Sequence, residues 1–311
     1  MQESELDRWL ELRNRAFPWA EGRQRFLFSE SLRPADEPVL QLGAWTAENE
    51  LAGTAECYVG EEGERYIDYA ESFVTVAGKY RRRGLGGRLA DEVERFARAQ
   101  EVRWLHAILY EHDLPGSGRF LARRGFRELE RYQTSIQDPT SVSLDRLEAL
   151  RQRLVESGIE TWSFAEIDSA LMRRSLHRCG VAIQRDMPHE DMVDWREAPY
   201  TTWIRKVLEG PGSSAERVFV ARDGEQIVGL TYLIVGPDGE AEVGDTGVLR
   251  THRRRGIGRT LKLMATRYAA EHGIRRVQTD NRSDNVGMLA INRELGFVPA
   301  EAIVIYQKEF A

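Results

Sequence analysis

The stretch DTGVLRTHRRRGIGRTLKLMATRYAAEHG at 245–273 contains the feature that decides the fold. In it, an arginine-rich glycine turn joins a short apolar run to a segment with the apolar spacing of an amphipathic helix. The stretch SFVTVAGKYRRRGLGGRLADEVERFARAQ at 72–100 repeats this pattern, and Gly84 lies 172 residues before Gly256 (256 − 84). Such a repeat indicates two similar halves in one chain.

A second landmark supports the repeat. A Gly-Phe pair follows a helix-like segment at Gly125 and again at Gly296, 171 residues apart (296 − 125). A glycine suits the left-handed residue that often ends a helix. Each half therefore predicts the order strand, turn, helix, strand, helix, strand. The first half begins directly in a helix, so either this domain lacks its opening strand or the given start of the sequence is late.

The boundary between the halves is predicted from a break in the pattern. Asp138-Pro139-Thr140-Ser141 interrupts the chain, and SLDRLEALRQRLVESG has the spacing of an amphipathic connecting helix. The predicted segments are an N-terminal domain at 1–138, a linker helix at 139–158 and a C-terminal domain at 159–311.

Composition excludes several classes of protein. The chain has 311 residues, 41% of them hydrophobic, and a net charge of −6, which predicts globular domains and argues against general nucleic-acid binding. No apolar run is long enough for a membrane helix, and the charged start does not resemble a secretory signal, so we expect a cytoplasmic protein. Cys57 and Cys179 are expected to be reduced thiols. The six histidines show no metal-ligand spacing, so no metal is predicted.

The composition of the turn indicates anion binding. A helix N-terminus leaves backbone N–H groups unpaired and carries a partial positive charge, and glycine lets a bulky anion approach the backbone closely. The arginines at 81–83 and 253–255 add positive charge beside each turn. A basic, solvated loop that only caps a helix is the alternative. Neither copy is followed by the Gly-Lys-Ser/Thr of a phosphate-binding P-loop, and neither is a GxGxxG dinucleotide motif.

With these turns on both halves, the chain resembles the GNAT superfamily of acyl-CoA-dependent N-acyltransferases, whose hallmark is R/Q-x-x-G-x-G/A between a strand and a helix. The tandem layout is similar to mycothiol synthases and related bacterial double-domain proteins. The second half carries the fuller match, through TDNRSDNVGMLAINRELGF at 279–297. The resemblance implies an α/β fold of two tandem domains, each a mixed, mostly antiparallel twisted sheet flanked by helices.

The resemblance also implies where acetyl-CoA would bind. Backbone amides of the turn would hold its pyrophosphate, the last strand residue before the turn would pair with the pantetheine arm, and an asparagine would contact the cofactor. In the second half these residues are Val248, Arg253, Arg254, Arg255, Gly256, Ile257, Gly258, Arg259 and Asn285. In the first half they are Val76 and Arg82 through Arg88, with Arg81, Arg83, Gly84, Gly86 and Gly87 as the principal positions.

The catalytic groups are less fully determined by the resemblance. Many relatives use a tyrosine as the acid, five residues before the phenylalanine of the Gly-Phe pair, and this position holds Asn292 in the second half and Leu121 in the first. Glu242 and Asp245 are the candidate bases, with a solvated strand-edge acid as the alternative for each. His252 fits a loop residue better than a base.

The acceptor is not identified by the sequence. Region 181–209 combines aromatic residues such as Trp195, Tyr200 and Trp203 with several acids, which would suit a cationic amine, although ordinary helix packing explains the pattern equally well. The leading hypothesis is an acetyl-CoA-dependent N-acetyltransferase acting on a small-molecule primary amine in the C-terminal domain, as a monomer or homodimer. A non-catalytic acyl-CoA sensor or partner-binding protein is the alternative, because both halves lack the tyrosine.

Overall fold

The computed structural model describes residues 3–16, 21–59, 69–187 and 197–310, and omits the side chains of residues 3 and 4. The helices are α1 (Glu3–Arg13), α2 (Arg23–Leu32), α3 (Leu85–Ala99), α4 (Arg119–Arg123), α5 (Leu147–Glu156), α6 (Ala170–Arg185), α7 (Tyr200–Ile204), α8 (Ile257–Glu271) and α9 (Val286–Glu294). The strands are β1 (Val39–Trp45), β2 (Leu51–Val59), β3 (Tyr69–Val76), β4 (Trp104–Tyr110), β5 (Arg127–Gln137), β6 (Ile159–Ser163), β7 (Val218–Asp223), β8 (Gln226–Val235), β9 (Ala241–Val248), β10 (Val277–Arg282) and β11 (Val298–Glu309).

The described residues form two compact units. Unit 1 contains the described residues up to 132, residue 197 and residues 301–310, and unit 2 contains 133–187 and 198–300. These units are not consecutive in sequence, because the chain leaves unit 1 after Tyr132 and its last segment, from Glu301 onward, belongs to unit 1 again. The two α/β units confirm the predicted fold class, and the domain limits at 138 and 158 stay a prediction about the extent of the repeat.

Unit 1 is a sheet in the order β1-β2-β3-β4-β11. β1, β2 and β3 are antiparallel, β4 is parallel to β3, and β11 is antiparallel to β4. One face is covered by α3, whose Leu89, Val93 and Ala97 are buried together with residues of β2, β3 and β4. The other face receives α1, where Trp9 is fully buried.

The last strand of unit 1 comes from the end of the chain. β11 pairs with β4 from Ile303 opposite Tyr110 to Glu309 opposite Trp104. The side chain of Ile303 is fully buried, and Ile305 is 9% exposed. Arg103 accepts through its carbonyl from the amide of Phe310, which closes the end of the ladder. Without residues 301–310, β4 would present an unpaired edge and unit 1 would lose part of its core.

Unit 2 is also a sheet with helices on both faces. Its sheet order is β5-β10-β9-β8-β7-β6, with residues 133–137 of β5 belonging to the unit. The strands from β6 to β9 are antiparallel, and β9 and β10 are parallel. Helices α5, α8 and α9 cover one face, which we call the α8 face, and α6 and α7 cover the opposite face, which we call the α6 face.

The helix predicted as a linker is part of unit 2. Leu147 and Leu154 on α5 are 1% and 2% exposed and belong to the core beneath α8. The segment therefore contributes to a hydrophobic core instead of only connecting two domains. The φ angles of Gly125 and Gly296, 87° and 82°, confirm both predicted helix ends.

One buried lysine departs from the apolar pattern of unit 2. Lys262 lies on α8 with 3% of its surface exposed, its Nζ is 5.1 Å from the centre of the Phe297 ring, and this Nζ has no hydrogen-bond partner among the described residues. Burial lowers the pKa of this amine from 10.5 to about 8. At neutral pH the protein therefore holds a poorly solvated positive charge that costs stability.

We expect fragment 1–138 not to fold cooperatively, because it lacks β11. Grafting residues 298–311 onto its end through a flexible linker should restore a cooperative urea transition followed by near-ultraviolet circular dichroism. A grafted segment carrying Ile303→Asp is the matched control and should fail. Cooperative unfolding of the bare fragment at the same midpoint would contradict this prediction.

We expect Lys262→Met to stabilise the protein at pH 7 by about 3 kcal/mol, at about 1.4 kcal/mol for each unit by which the pKa is lowered. Below pH 8 the folded and unfolded chains both hold the proton, so the penalty is complete. Between pH 8 and 10.5 the folded chain has released it and the unfolded chain has not, so stability of the parent rises with pH and the gain from Lys262→Met shrinks.

The measurement is urea denaturation at several pH values between 7 and 10. Lys308→Met is the control, because Lys308 donates to Glu94 at 2.6 Å and its replacement should bring no gain. A gain from Lys262→Met that does not change with pH would show that packing, and not charge, is responsible.

Candidate active site

The two arginine-glycine turns have the same backbone conformation. Gly84 and Gly256 have φ of 81° and 85°, in the left-handed region that glycine adopts without strain. Arg82 and Arg254 are also left-handed, with φ of 61° and 63°. For a residue with a Cβ this costs about 1–2 kcal/mol, so the turn is held by other contacts. A loop in which left-handed residues alternate with others directs successive N–H groups inward, as in known anion sites.

Each turn is tied to the strand before it by its first arginine. Arg81 Nε donates to the carbonyl of Val76 at 3.0 Å, and Arg253 Nε donates to the carbonyl of Val248 at 3.0 Å. These guanidinium groups therefore bind the ends of β3 and β9. Their charge and the family resemblance predict that these two arginines bind the cofactor, and the structure gives them a role in holding the turn.

The second turn has further side-chain contacts. Arg253 also pairs with Asp186 at 2.8 Å, and Arg250 pairs with the same carboxylate at 2.6 Å, so the turn is linked to the end of α6. His252 Nε2 lies 3.2 Å from Oδ2 of Asp223 at the end of β7, which agrees with a structural role for this histidine. These anchors preorganise the strained loop.

A second glycine in each turn is not needed by the protein itself. Gly86 and Gly258, at the second position of α3 and α8, are not left-handed. A Cβ at Gly86 would lie 3.5 Å from Val76, and one at Gly258 would lie 3.7 Å from Val248, both ordinary contacts. Neither the backbone conformation nor the internal packing therefore requires glycine at these two positions. The absence of a side chain leaves open space above the N-terminus of each helix. The same is true of Gly87, whose Cβ would meet no atom within 4 Å.

Beside each turn, two parallel strands separate. Within the described part of the chain, β9 pairs with β10 only through Ala241 with Val277 and Glu242 with Gln278, although β9 continues to Val248. In unit 1 the pairing of β3 with β4 ends at Ser72 and Ala107, and β3 continues to Val76. An opening between the strand before the turn and the next parallel strand is therefore present in both units.

A β-bulge in β9 distinguishes the second opening from the first. Leu233 pairs with Val243 but Thr231 pairs with Thr246, so Gly244 and Asp245 both stand opposite Tyr232. Glycine is required at the bulge, because a Cβ at Gly244 would lie 1.9 Å from the Tyr232 ring. In unit 1 the register of β2 with β3 continues from Gly53 opposite Val76 to Val59 opposite Ala70 without a shift.

The bulge brings both candidate bases to the α6 face. Glu242 is paired with Ile234, which packs against the core beneath α6. Asp245 accepts a hydrogen bond from Gln184 of α6 at 3.3 Å. In a regular strand Asp245 would lie on the same face as Val243, in the core beneath α8, so the inserted residue is what turns this carboxylate toward α6.

The corresponding place in unit 1 is filled. Three residues after Gly53, Glu56 takes the position that Tyr232 has in unit 2, and it is 1% exposed. Arg13 at the end of α1 donates to both of its oxygens, at 2.9 and 3.1 Å, and Tyr58 donates to it as well. Burial raises the pKa of Glu56, and the Arg13 charge opposes that shift. A satisfied ion pair thus occupies the face on which unit 2 places its candidate bases.

The two asparagines of the predicted site have different surroundings. Asn285 is the N-cap of α9, and its Oδ1 accepts from the amide of Met288 at 3.1 Å. Asn292 is 1% exposed, and its Nδ2 donates to Asn281 Oδ1 at 2.6 Å. A structural role therefore accounts for Asn285 without a cofactor, whereas Asn292 lies buried beside the end of β10.

The predicted aromatic wall is only partly described. Trp203 is 3% exposed and lies against Gly180, where a Cβ would meet its ring at 2.2 Å, so it belongs to the core between α6 and α7. Tyr200 is 36% exposed and makes an edge contact with His177. Trp195 and the acids at 190, 191 and 194 lie outside the described residues.

The fold and the paired turns are those of a tandem acyltransferase. Comparison with known proteins leads to the same class. The model of the acetyltransferase (GNAT) family matches residues 6–126 and 154–297. The chain therefore belongs to this family, which confirms the resemblance found in the sequence.

Individual relatives are distant. A mycothiol acetyltransferase of Geodermatophilus obscurus is 26% identical over 262 residues, covering 82% of this chain and 77% of that protein. The match to a mycothiol acetyltransferase of Corynebacterium glutamicum is 33% identical over 86 residues and spans 28% of this chain and only 30% of that relative. A tandem GNAT protein from the clavulanic acid biosynthesis pathway has a TM-score of 0.71 at 21% identity, covering 99% of this chain and 96% of its own.

No group of three histidine, cysteine or acidic side chains in ranges 3–16, 21–59, 69–187 and 197–310 is arranged to hold a metal ion. None of the helices described has the length and apolar composition that crossing a bilayer requires. Burial raises the pKa of Cys57 and of Cys179 to about 12, which keeps both as thiols.

Proposed function

We propose that the chain is an acetyl-CoA-dependent N-acetyltransferase that transfers an acetyl group to a primary amine of a small molecule, with catalysis in unit 2. The main support for this proposal is the second glycine of each turn, which leaves open space above a helix N-terminus. The protein's own packing does not require that space. Family membership and the separated parallel strands support the same conclusion.

The residues of unit 2 have the following roles in this proposal. Backbone N–H groups from Arg254 through Arg259 hold the pyrophosphate at the N-terminus of α8, where the helix dipole favours an anion. The edge of β9 at Val248 pairs with the pantetheine arm, as an added strand would. Arg255, Gly256, Ile257 and Gly258 form the cradle, and Arg253 holds it in place. Acetyl-CoA supplies the thioester carbonyl that the amine attacks.

The acceptor amine arrives from the α6 face. It must lose a proton to become nucleophilic, and Glu242 and Asp245 are the carboxylates that β9 presents on this face. Gln184 holds one of them in place. Asn292 takes the position of the acid in many relatives, and Asn285 borders the cofactor. The acetylated amine and CoA are the products.

Unit 1 is proposed to hold acetyl-CoA without catalysing transfer. It keeps the left-handed turn and the open glycines at 84, 86 and 87, with Val76, Arg81 and Arg83 around them. It lacks the bulge, has Leu121 at the acid position, and fills the opposite face with the Arg13–Glu56 pair. A cytoplasmic location and a monomeric or homodimeric state remain predictions.

A non-catalytic acyl-CoA-binding protein is the second candidate. It is favoured by the fact that neither Asn292 nor Leu121 can release a proton as tyrosine does. It predicts binding of acetyl-CoA with no release of free thiol across a broad panel of primary amines. Amine-dependent thiol release would rule it out.

We expect calorimetry to detect acetyl-CoA binding at two sites. Gly258→Leu should abolish binding in unit 2 and Gly86→Leu in unit 1, because each side chain enters space that only a ligand uses. The melting temperature of each variant serves as control and should change little, since neither position needs glycine for the fold. If the parent chain binds no acetyl-CoA, the proposed function is wrong.

Glu242→Gln and Asp245→Asn test the base. The assay uses an amine from the panel that supports thiol release. With that amine we expect at least one variant to lower kcat by about 100-fold or more, with the acetyl-CoA dissociation constant unchanged within about twofold. Glu71→Gln, on the matching strand of unit 1, is the control and should leave kcat unchanged. Loss of activity from Glu71→Gln alone would move catalysis to unit 1.

A further inference from the structure

The end of α6 carries a carboxylate in an unfavourable place. Asp186 directly follows this helix, and the C-terminus of a helix has a partial negative charge that disfavours an acid. Asp186 also lies beside the second arginine-glycine turn, where a negative charge repels the anion that we propose to bind there. Because both effects oppose a carboxylate at this position, its presence requires a reason.

Two arginines at the second turn hold the carboxylate. Its Oδ1 pairs with Arg250 at 2.6 Å, and its Oδ2 pairs with Arg253 at 2.8 Å. Since Arg253 also donates from Nε to the carbonyl of Val248, one guanidinium joins the end of α6 to the end of β9. The side chain of Asp186 is only 18% exposed, so solvent screens this pair less than it screens a fully exposed one.

The last turn of α6 makes two further contacts with β9. Ile183 packs on Gly247, where a Cβ would lie 2.3 Å from the isoleucine side chain, so glycine is what lets the helix approach the strand. Gln184 donates to the candidate base Asp245 at 3.3 Å. Together with the pair that Asp186 forms, these contacts fasten one helix end to β9 from the bulge to the turn.

The first turn forms without such a carboxylate. Gly78 begins the 3₁₀ helix before the first turn, whereas Arg250 begins the one before the second. Arg81 donates to the carbonyl of Val76, and within the part of the chain that the structure describes it forms no ion pair. The left-handed backbone is nevertheless the same in both turns. The conformation of the turn therefore does not explain why Asp186 is present.

We propose that Asp186 is a positioning residue for acetyl transfer, which holds the cofactor turn and the base Asp245 in a fixed relation through the end of α6. This inference rests on the proposed function. Asp186 acts through Arg253 and Gln184 and not on the substrates themselves. Its disadvantage is a weaker attraction of the cofactor, because its charge neutralises the two arginines beside the pyrophosphate.

A link of this kind acts on the rate more than on binding. The turn sets the position of the cofactor, and Asp245 sets the position of the amine that attacks the thioester. Direct transfer requires the reacting atoms to meet in the correct geometry, and an error of about 1 Å can lower the rate about 100-fold. Loosening the end of α6 should therefore lower kcat while each substrate still binds.

Asp186→Asn tests this role, because asparagine keeps the shape of the side chain and removes its charge. The variant is made in the full-length chain carrying Gly86→Leu, in which only unit 2 is expected to bind CoA, and is compared with that chain. Calorimetry with CoA should show a dissociation constant that is unchanged or up to about fivefold lower, since the arginines are no longer neutralised. With an amine that supports thiol release, kcat should fall about tenfold or more.

Asp168→Asn is the matched control. Asp168 accepts from Arg173 at 2.7 and 2.9 Å beside the start of α6, so this ion pair lies at the opposite end of the same helix. Its replacement should change neither kcat nor the affinity for CoA.

Hydrogen exchange followed by mass spectrometry gives a second readout that needs no acceptor. In the ligand-free Asp186→Asn chain, the amides at 181–187 and those at 249–259 should both exchange faster than in the parent, because the helix end and the turn lose their common anchor. In the Asp168→Asn chain neither segment should change.

Three results would overturn the inference. Weaker binding of CoA to the Asp186→Asn chain, with or without a lower kcat, would mean that the carboxylate only supports the cofactor turn. Unchanged kcat and affinity would mean that it forms a surface ion pair without a role in transfer. Faster exchange in only one of the two segments would mean that α6 and the turn are not linked. Absence of CoA binding to the Gly86→Leu chain, or of thiol release with every amine, would instead overturn the proposed function of unit 2, and with it this inference.

Discussion

The contact on which the rest of the structure depends is the hydrogen bond from an arginine guanidinium to the carbonyl at the end of a strand. It holds a loop in which an arginine and a glycine are both left-handed, and that loop turns the end of a strand into the exposed N-terminus of a long helix. The helix then covers the sheet, and its N-terminus lies beside the point where two parallel strands separate. The placement of the helix follows from this one turn, and so does the anion site that we propose there.

Because the turn occurs twice, differences elsewhere separate the two units. One inserted residue in β9 directs a carboxylate to the α6 face, and one asparagine replaces a leucine beside the opening. In unit 1 the same face is closed by a buried arginine–glutamate pair. The left-handed turn and the separated strands are therefore kept in both units, while the bulge and the buried asparagine that the proposed function uses occur only in unit 2 among the described residues.

Much of the fold was predictable because glycine and apolar spacing are local signals. The turns, the helices after them, the helix-ending glycines and the order of strands could all be read from residue types, and the family comparison confirmed the resemblance. The left-handed conformation of Arg82 and Arg254 could not be predicted, because arginine has no preference for that conformation. Gly244 is a sequence signal for the bulge, because a glycine inside a strand often marks one. The clash that this glycine avoids, however, involves Tyr232 on another strand. The Asn281–Asn292 contact likewise depends on tertiary packing, and the roles of these site residues stay predictions.

The placement of β11 has a consequence for how this chain is made. Domains usually fold as they leave the ribosome, the N-terminal one first. Here the strand that pairs with β4 is synthesised only after the whole of unit 2. The edge of β4 must therefore stay unpaired while the whole of unit 2 is translated, and an unpaired edge is a site where chains aggregate. Unit 1 can therefore complete its sheet only after unit 2 and β11 have been synthesised.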